Sequence, residues 1–409
     1  MMTQVIMLIM LFFWMLLIFY SILTISGVWY RVRFKKPQKL SNYPSVALLI
    51  PAHNEGIVME DTLRAMARLK YSGQLDIYVL DDNSKDDTAE IAKEFAAVFS
   101  RIHYIPVPVS SPSGKSRVLN YRLSISESDY FVVYDADNEP EPDAVELLVE
   151  VAEQTKKAAG AVGYVKTKNA RTNTLTRMIG LEFQVFQLLM QCGRWQFLKL
   201  GSLAGTNMLL RRSVLEELGG YDVNALAEDA ELTVRLHAKG YVLPVVPESK
   251  TWEQEPEKLT TFIKQRTRWL TGNIYLLEKS FKDLSHWRGK TFFLSLQHVL
   301  TYLVFVLVLL FSDIFFIMSV MGMELPNMEA PLLMLWFMSY IVYTAQLLSA
   351  LVVDRNVSPK NVFFIYIMYF TYAQLFIILL LRSVTVYVWS RLRGNTIAWD
   401  KTKRFKGLG

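Results

Sequence analysis

Apolar positions along the chain follow two patterns. Residues 5–30 form a run without a charge, roughly 39 Å long as a helix and sufficient to cross a bilayer with some tilt. A second apolar block holds stretches at 292–321, 331–353 and 361–389. Between them, residues 41–287 carry short apolar runs separated by helical periods. Ser45–Ile50, Leu75–Leu80, Tyr130–Tyr134 and Ala159–Val165 read as strands. Ile57–Lys70, Asp87–Phe99, Lys115–Ser126 and Pro142–Thr155 read as helices, with Asp87 available as a cap and Pro142 at a helix start. Strands and helices in alternation predict an α/β domain whose largely parallel sheet is covered on both faces.

Charge orients the apolar runs. Arg31, Arg33, Lys35, Lys36 and Lys39 follow the first run with no acid among them, which places that end in the cytoplasm and the N-terminus outside. No signal-peptide cleavage pattern is evident there. The segment 322–330 has Glu324 and Glu329 and no cation, which suits the outside; 354–360 has Arg355 and Lys360, which suits the inside. The last twenty residues are basic and also favour the inside. Three full crossings from residue 291 onward would put them outside. The stretch 361–389 contains Arg382, so it is expected to be re-entrant or interfacial. Thr174–Trp195 is apolar-rich but too charged to span; it fits the membrane surface and an ordinary core helix equally well.

Composition agrees. The chain has 409 residues, 52% hydrophobic and only 20% charged, with a positive mean hydropathy. That excludes a disordered or fibrous protein and argues against a wholly soluble one. The net charge is +6. Cys192 is the only cysteine, which excludes an intrachain disulfide and suits a reducing compartment. The five histidines lack metal-ligand spacing.

The candidate chemistry lies where strands end, since ligands of such sheets sit at the carboxyl ends of strands. Asp135-Ala136-Asp137 follows the run Tyr130–Tyr134. On an extended segment the two carboxylates point the same way, and a divalent metal on a diphosphate would satisfy both. An Asp-rich solvated turn is the ordinary alternative. Asp81-Asp82 follows another strand and can accept from a base or ribose. Gly114-Lys115-Ser116 is not a phosphate loop, because position 109 is Val where that motif needs Gly; Lys115 remains a point charge for a phosphate. Glu228-Asp229 opens a helix, where acids also complement the dipole, and one of them is a candidate general base. Gln265, Arg268 and Trp269 share a helical face by spacing, bringing together an amide, a guanidinium and a stacking ring. A membrane-interface Arg and Trp is the plainer reading of that pair.

In order, Pro51-Ala52-His53-Asn54-Glu55, Asp81-Asp82, Gly114-Lys115, Asp135-x-Asp137, Glu228-Asp229 and Gln265-Arg266-x-Arg268-Trp269 resemble the family-two membrane-embedded processive glycosyltransferases. Cellulose, hyaluronan and poly-N-acetylglucosamine synthases belong there. The resemblance implies an N-terminal transmembrane helix over 1–30, a cytosolic GT-A catalytic domain over 41–287, a transmembrane block over 291–389 and a basic cytosolic tail over 390–409. It implies that Glu55, Asp81, Asp82, Lys115, Asp135, Arg266 and Arg268 bind a UDP-sugar donor. Asp135 and Asp137 would hold its diphosphate through Mg²⁺ or Mn²⁺, and Asp229 would be the general base. Glu228, Gln265, Trp269 and Trp252 would meet the acceptor. Trp399, Thr402, Lys403 and Arg404 look like the C-terminal segment that closes over the nucleotide in hyaluronan and poly-N-acetylglucosamine synthases; a basic anchor on anionic lipid is the alternative.

The implied reaction is inverting and builds a β-linked polysaccharide that leaves through the plasma membrane. UDP-glucose is slightly favoured by Glu228-Asp229-Ala230-Glu231 and Pro256-Glu257; UDP-N-acetylglucosamine is the alternative. Partners would be the growing polysaccharide, the lipid bilayer and a small accessory membrane subunit, with no nucleic acid. Ala227 stands where cellulose-type enzymes have Thr. A single-sugar transfer to a membrane lipid is the competing enzymatic reading, and an inactive scaffold or transporter the non-enzymatic one.

Overall fold

The charge-free N-terminal run forms one helix, α1 (Met2–Arg33), which ends in its basic residues. The structure is a computed structural model and describes residues 2–111, 114–283, 287, 289, 291–300, 314, 317, 318, 320–322 and 329–393. An α/β domain follows α1. Its elements are β1 (Val46–Ala52), α2 (Gly56–Met66), β2 (Leu75–Asp81), α3 (Thr88–Val98), β3 (Ile102–Pro106), α4 (Lys115–Leu123), β4 (Tyr130–Val133), β5 (Glu139–Pro140), α5 (Ala144–Gln154) and β6 (Gly160–Thr167). Then come α6 (Thr174–Phe183), a π-helical turn (Gln184–Met190), α7 (Gln191–Leu198), β7 (Met208–Arg211), α8 (Arg212–Glu217), α9 (Glu228–Ala238), β8 (Val245–Glu253) and α10 (Leu259–Lys282).

The eight strands form one sheet in the order β3-β2-β1-β4-β7-β6-β8-β5. Its first half is parallel, as the βα alternation predicts. Its second half is mixed, which corrects the expected largely parallel sheet: β7 runs antiparallel to both β4 and β6, and β5 antiparallel to β8. Two antiparallel steps restore the direction, and β8 is parallel to β6. The carboxyl ends of β1, β2, β4, β6 and β8 therefore share one edge. Residues Val46–Ile50 and Tyr130–Val133 are buried throughout, because helices cover both faces. Helices α2, α3 and α5 pack on one face, and α4, α7 and α9 on the other.

The Thr174–Leu198 helical run lies between the sheet and the membrane-type helices. It packs on β6 on one side and on α1 on the other, so it is neither a plain core helix nor a free surface one. A Cβ on Gly27 of α1 would come within 2.2 Å of the Leu189 carbonyl oxygen, and one on Gly193 within 2.2 Å of the Leu23 carbonyl oxygen. Glycine at both positions lets the two backbones touch. The end of α1 is pinned to β8: Tyr30 Oη donates to the Val245 carbonyl (2.8 Å), and Arg31 pairs with Glu248 (2.5 Å).

Of the C-terminal block, α11 covers Thr291–Val299, and the rest of the 292–321 stretch lies almost wholly outside the described residues. Helix α12 (Glu329–Val353) runs beside α1, and Asp354 beyond its end pairs with Lys166 of β6 (2.9 Å). The 361–389 stretch is not one helix. It divides at 369–371 into α13 (Pro359–Met368) and α14 (Tyr372–Leu392). Ten residues rise only about 15 Å, too little to cross a bilayer. Among the described residues three helical segments are long and apolar enough to span: Met10–Arg33, Leu333–Val353 and Tyr372–Leu392. Arg382 is exposed on the last. Trp399, Thr402, Lys403 and Arg404 lie outside the described residues.

Candidate active site

A cavity of about 400 Å³ opens at the shared strand edge. Its floor is the turn after β4. Asn138 N donates to the Asp135 carbonyl (3.0 Å), so Asp135-Ala136-Asp137 is a turn and not the extended segment that spacing alone implies. The two carboxylates consequently have different partners. Asp135 lines the cavity. Asp137 is buried beside β8, where its Oδ2 accepts from the Gln254 N–H (3.3 Å).

Lys115, at the start of α4, organises the floor. Its Nζ donates to Asp135 Oδ1 (2.6 Å) and to the Gly205 carbonyl (2.7 Å), and lies 3.5 Å from Glu228. Burial works against this charge, but Asp135, Glu228 and Asp229 together hold the lysine above its ordinary range. Gly205 sits at φ +77° and needs glycine to aim its carbonyl there; a Cβ on it would be 3.4 Å from Asp229 Oδ2. Thr206 Oγ1 accepts from the Asp135 N–H (3.1 Å), which ties this loop to the floor.

Glu228 and Asp229 stand in the first turn of α9 and both line the cavity. Burial and the neighbouring Glu228 push the Asp229 carboxyl up to about 7, against the opposing pull of the Ala230 N–H and Lys115. A half-buried carboxyl pushed toward neutrality is suited to taking a proton from a hydroxyl.

The opposite wall comes from α10. Gln265, Arg268 and Trp269 all line the cavity, together with Asn273, as their helical spacing predicts. Trp269 is backed by Phe183, with ring centroids 6.4 Å apart and an interplanar angle of 28°. Arg266 is turned about 100° away. It is buried behind Trp269, pairs with Glu182 (2.6 Å) and stacks on the Trp269 ring at 4.3 Å. Its guanidinium is committed to an ion pair outside the cavity lining, so the structure does not bring it together with Gln265, Arg268 and Trp269.

The β1–β2 end of the cavity holds Glu55 and Asp82, both lining it, and His53, whose Nδ1 lies 2.7 Å from the Asp82 carbonyl oxygen. Asp82 is held by Arg117. Asp81 does not line the cavity. Its carboxylate accepts from the Ser84 N–H (3.0 Å) and Tyr104 Oη (2.8 Å), so it supports the Asp82 turn from behind. Trp252 is not among the residues that line the cavity. It sits in the ladder between β5 and β6, with Lys166 Nζ 4.8 Å above its ring, away from the lining.

Several site residues escaped the sequence reading. Glu253, at the end of β8, lines the cavity. Burial, Glu255, Asp137 and Asp135 push its carboxyl well above the usual range. The sign in the sequence was Glu253-Gln254-Glu255, but the polar residues Glu248, Ser249 and Lys250 hid the strand that carries it. The Thr174–Leu198 run adds Phe186, Gln187, Met190, Gln191 and Arg194, and α1 adds Tyr20 and Leu23. Asp135, Asp137 and Glu253 are hard oxygen donors whose mutual repulsion a divalent cation would relieve. Among the described residues no three such groups converge closely enough to hold an ion unaided. The donor set thus fits a cation completed by a diphosphate.

Comparison with known proteins agrees with this architecture. The family described as glycosyltransferase-like family 2 matches residues 44–272. A probable glycosyltransferase, YdaM, of Bacillus subtilis is 35% identical over 401 residues, covering 96% of each chain. The beta-monoglucosyldiacylglycerol synthase of Trichormus variabilis is 28% identical, over 60% of this chain and 52% of that one. The poly-beta-1,6-N-acetyl-D-glucosamine synthase of Staphylococcus aureus is 26% identical, over 68% and 66%. A mannosyltransferase of Pyrobaculum calidifontis, solved with GDP-Man and Mn²⁺, superposes with a TM-score of 0.54 at 16% identity, covering 94% of this chain and 99% of that one. The last likeness shows the fold alone. With a family match over more than half its length and a 35% identical relative spanning nearly all of it, the chain belongs to glycosyltransferase family 2 and is a sugar-transferring enzyme of the GT-A fold.

Proposed function

We propose that the chain is an inverting, membrane-embedded β-glycosyltransferase that extends a polysaccharide from a UDP-sugar, with UDP-glucose favoured. One observation carries this reading. Asp229, a half-buried carboxyl pushed up to about 7, faces the same cavity as the Lys115–Asp135 pair and the Gln265, Arg268 and Trp269 wall. The uridine diphosphate would lie along Glu55, Asp82, Lys115 and Asp135. Asp135, with Asp137 and Glu253 beside it, would hold Mg²⁺ or Mn²⁺ against the diphosphate, and the cation would supply charge stabilisation for the leaving group. Asp229 takes the proton from the acceptor hydroxyl. The acceptor oxygen forms a bond to the anomeric carbon as the bond from that carbon to the diphosphate oxygen breaks. A single displacement inverts the α-linked donor to a β-linked product. Arg268 meets charge developing on the departing diphosphate, and Trp269 gives the acceptor sugar a stacking face.

A cytoplasmic catalytic domain agrees with the basic end of α1 being docked on β8. Single-sugar transfer to a membrane lipid is the second reading, favoured by the apolar Tyr20, Leu23, Phe186 and Met190 at the α1 end of the cavity.

The test is a donor screen. The purified protein is incubated with Mg²⁺ or Mn²⁺ and radiolabelled UDP-glucose, UDP-N-acetylglucosamine or UDP-glucuronate, and products are separated by size. High-molecular-weight label from one donor is the expected outcome. Label confined to a lipid-extractable single-sugar product would replace the polymer reading with the lipid one.

A further inference from the structure

Two walls of the cavity belong to two helices. α9 contributes Glu228 and Asp229, and α10 contributes Gln265, Arg268, Trp269 and Asn273. Gly272 stands inside α10, seven residues after Gln265 and three after Trp269, and so continues the cavity face. No turn requires glycine here, because the backbone is ordinary helix, and in a helix interior glycine is disfavoured against alanine. The reason for it is steric. A Cβ on Gly272 would lie 2.8 Å from the Ala227 Cβ, 3.1 Å from the Ala227 N and 3.3 Å from the Leu226 carbonyl carbon. Unbonded carbons pack at about 3.5–4.0 Å, so a methyl group at this point forces one helix away from the other.

Ala227 is the residue before the two acids, at the N-cap of α9, and it lines the cavity together with Leu226. Its methyl group gives the helix no cap hydrogen bond, so what packs on the acid-bearing turn helps to seat it. Farther along, the two helices are joined by other means. Val234 of α9 and Leu276 of α10 share one buried apolar cluster. Lys279 of α10 pairs with Glu231 of α9 (2.6 Å) and with Asp222 in the loop before α9 (2.8 Å). Gly272, Leu276 and Lys279 stand at i, i+4 and i+7, one seam along α10. The seam is held at its far end by side-chain packing and ion pairs, and it closes to backbone contact at the end that carries the acids. Added volume at Gly272 would open that end of the seam while the far end stays anchored.

We propose that Gly272 is a positioning residue for the transfer reaction: by packing its backbone on Ala227 it sets the distance from Asp229 to the wall of Gln265, Arg268 and Trp269. That distance is the room in which the acceptor hydroxyl lies between the base and the groups of α10. Gly272 itself touches no reacting atom. The inference rests on Asp229 as the base and deepens that reading.

The experiment reads nucleotide released from whichever donor the screen above identifies, so it does not depend on whether the acceptor is a polymer or a lipid. Gly272→Ala should lower kcat about 10–100-fold, the effect of displacing reacting groups by up to about 1 Å. Nucleotide affinity measured by calorimetry should fall less than about threefold, since Glu55, Asp82, Lys115 and Asp135 belong to other elements, and the melting temperature should stay within about 3 °C of wild type. Rescue identifies the contact. Adding Gly272→Ala to Ala227→Gly, which removes the opposing methyl group, should lower kcat less than about threefold. Three results overturn the proposal: wild-type kcat in Gly272→Ala, an undiminished loss in the Ala227→Gly background, or a kcat loss matched by losses of nucleotide affinity and melting temperature. Asp229→Asn is run in parallel. Turnover retained in that variant removes the base and the proposal with it; turnover lost there but unchanged in Gly272→Ala overturns the spacing alone.

Discussion

Asp229 joins activity and stability in opposite senses. In the fold its carboxyl is pushed up to about 7 by burial and by Glu228, from an ordinary value of 3.8. Below pH 7 it is protonated and cannot accept the hydroxyl proton, so kcat/KM should fall about tenfold per pH unit on the acidic side, with a midpoint near 7. Asp229→Asn should lower kcat by about 10²–10⁴-fold while UDP affinity measured by calorimetry stays close to wild type. Stability runs the other way. A carboxyl whose folded pKa lies above its unfolded one contributes stability that is full below about pH 4 and lost as pH rises through 7. Asp229→Asn should therefore raise the melting temperature at pH 8 more than at pH 5. Activity that is flat from pH 5 to 8, or turnover intact in the variant, removes Asp229 as the base.

On α10 one face serves the cavity and the other serves the membrane helices. Gln265, Arg268 and Trp269 look inward, while Arg266 reaches Glu182 of α6. Tyr372, at the start of α14, donates to the same carboxylate (2.6 Å). Three elements thus meet on Glu182, at the back of the Trp269 platform. Removing Arg266 leaves the half-buried Glu182 carboxylate with Tyr372 alone, a loss on the order of 1–3 kcal/mol. Arg266→Met should therefore lower the melting temperature clearly while nucleotide affinity changes less than about twofold. Arg268→Met should show the reverse ranking. Calorimetric UDP binding beside thermal unfolding separates them, and an Arg266 variant that keeps its stability but loses UDP would return Arg266 to the donor site.

For the whole molecule, the attachment of α1 and α12 to the domain bears on topology. Arg31 pairs with Glu248, and Asp354 with Lys166, so the C-terminal ends of both helices lie on the domain's side. Cys192 is buried, which leaves engineered single cysteines legible. Cysteines replacing Lys35 and Val357 should label only from the cytoplasmic face. If the two positions label from opposite faces, the shared orientation of the helices is wrong. The break at 369–371 divides the stretch whose single crossing conflicts with a cytoplasmic tail, and a cysteine at residue 405 reports directly on that side.

The local order of the chain was decided by sequence alone. The strands buried on both faces are continuous apolar runs, the membrane-type helices are long and largely apolar, and the motif acids stand where apolar runs stop. The cavity face of α10 was equally legible, because Gln265, Arg268 and Trp269 recur at the helical period. Direction was not legible. Whether β7 runs with or against its neighbours depends on crossovers between distant segments, and no local pattern encodes it. Nor could spacing distinguish an extended Asp135–Asp137 from a turn, since one hydrogen bond from Asn138 turns one carboxylate toward Lys115 and the other toward Gln254. Arg266 is a cation beside a motif until the fold places Glu182 against it. Glu253 and Gln187 become site residues only when β8 and the π-turn are brought to the same strand edge. Sequence specifies which groups exist and which local element each belongs to, because propensity and burial pattern act over a few residues. Long-range packing decides which of those groups face one another, and with them the charge and hydrogen-bond partners on which chemistry depends.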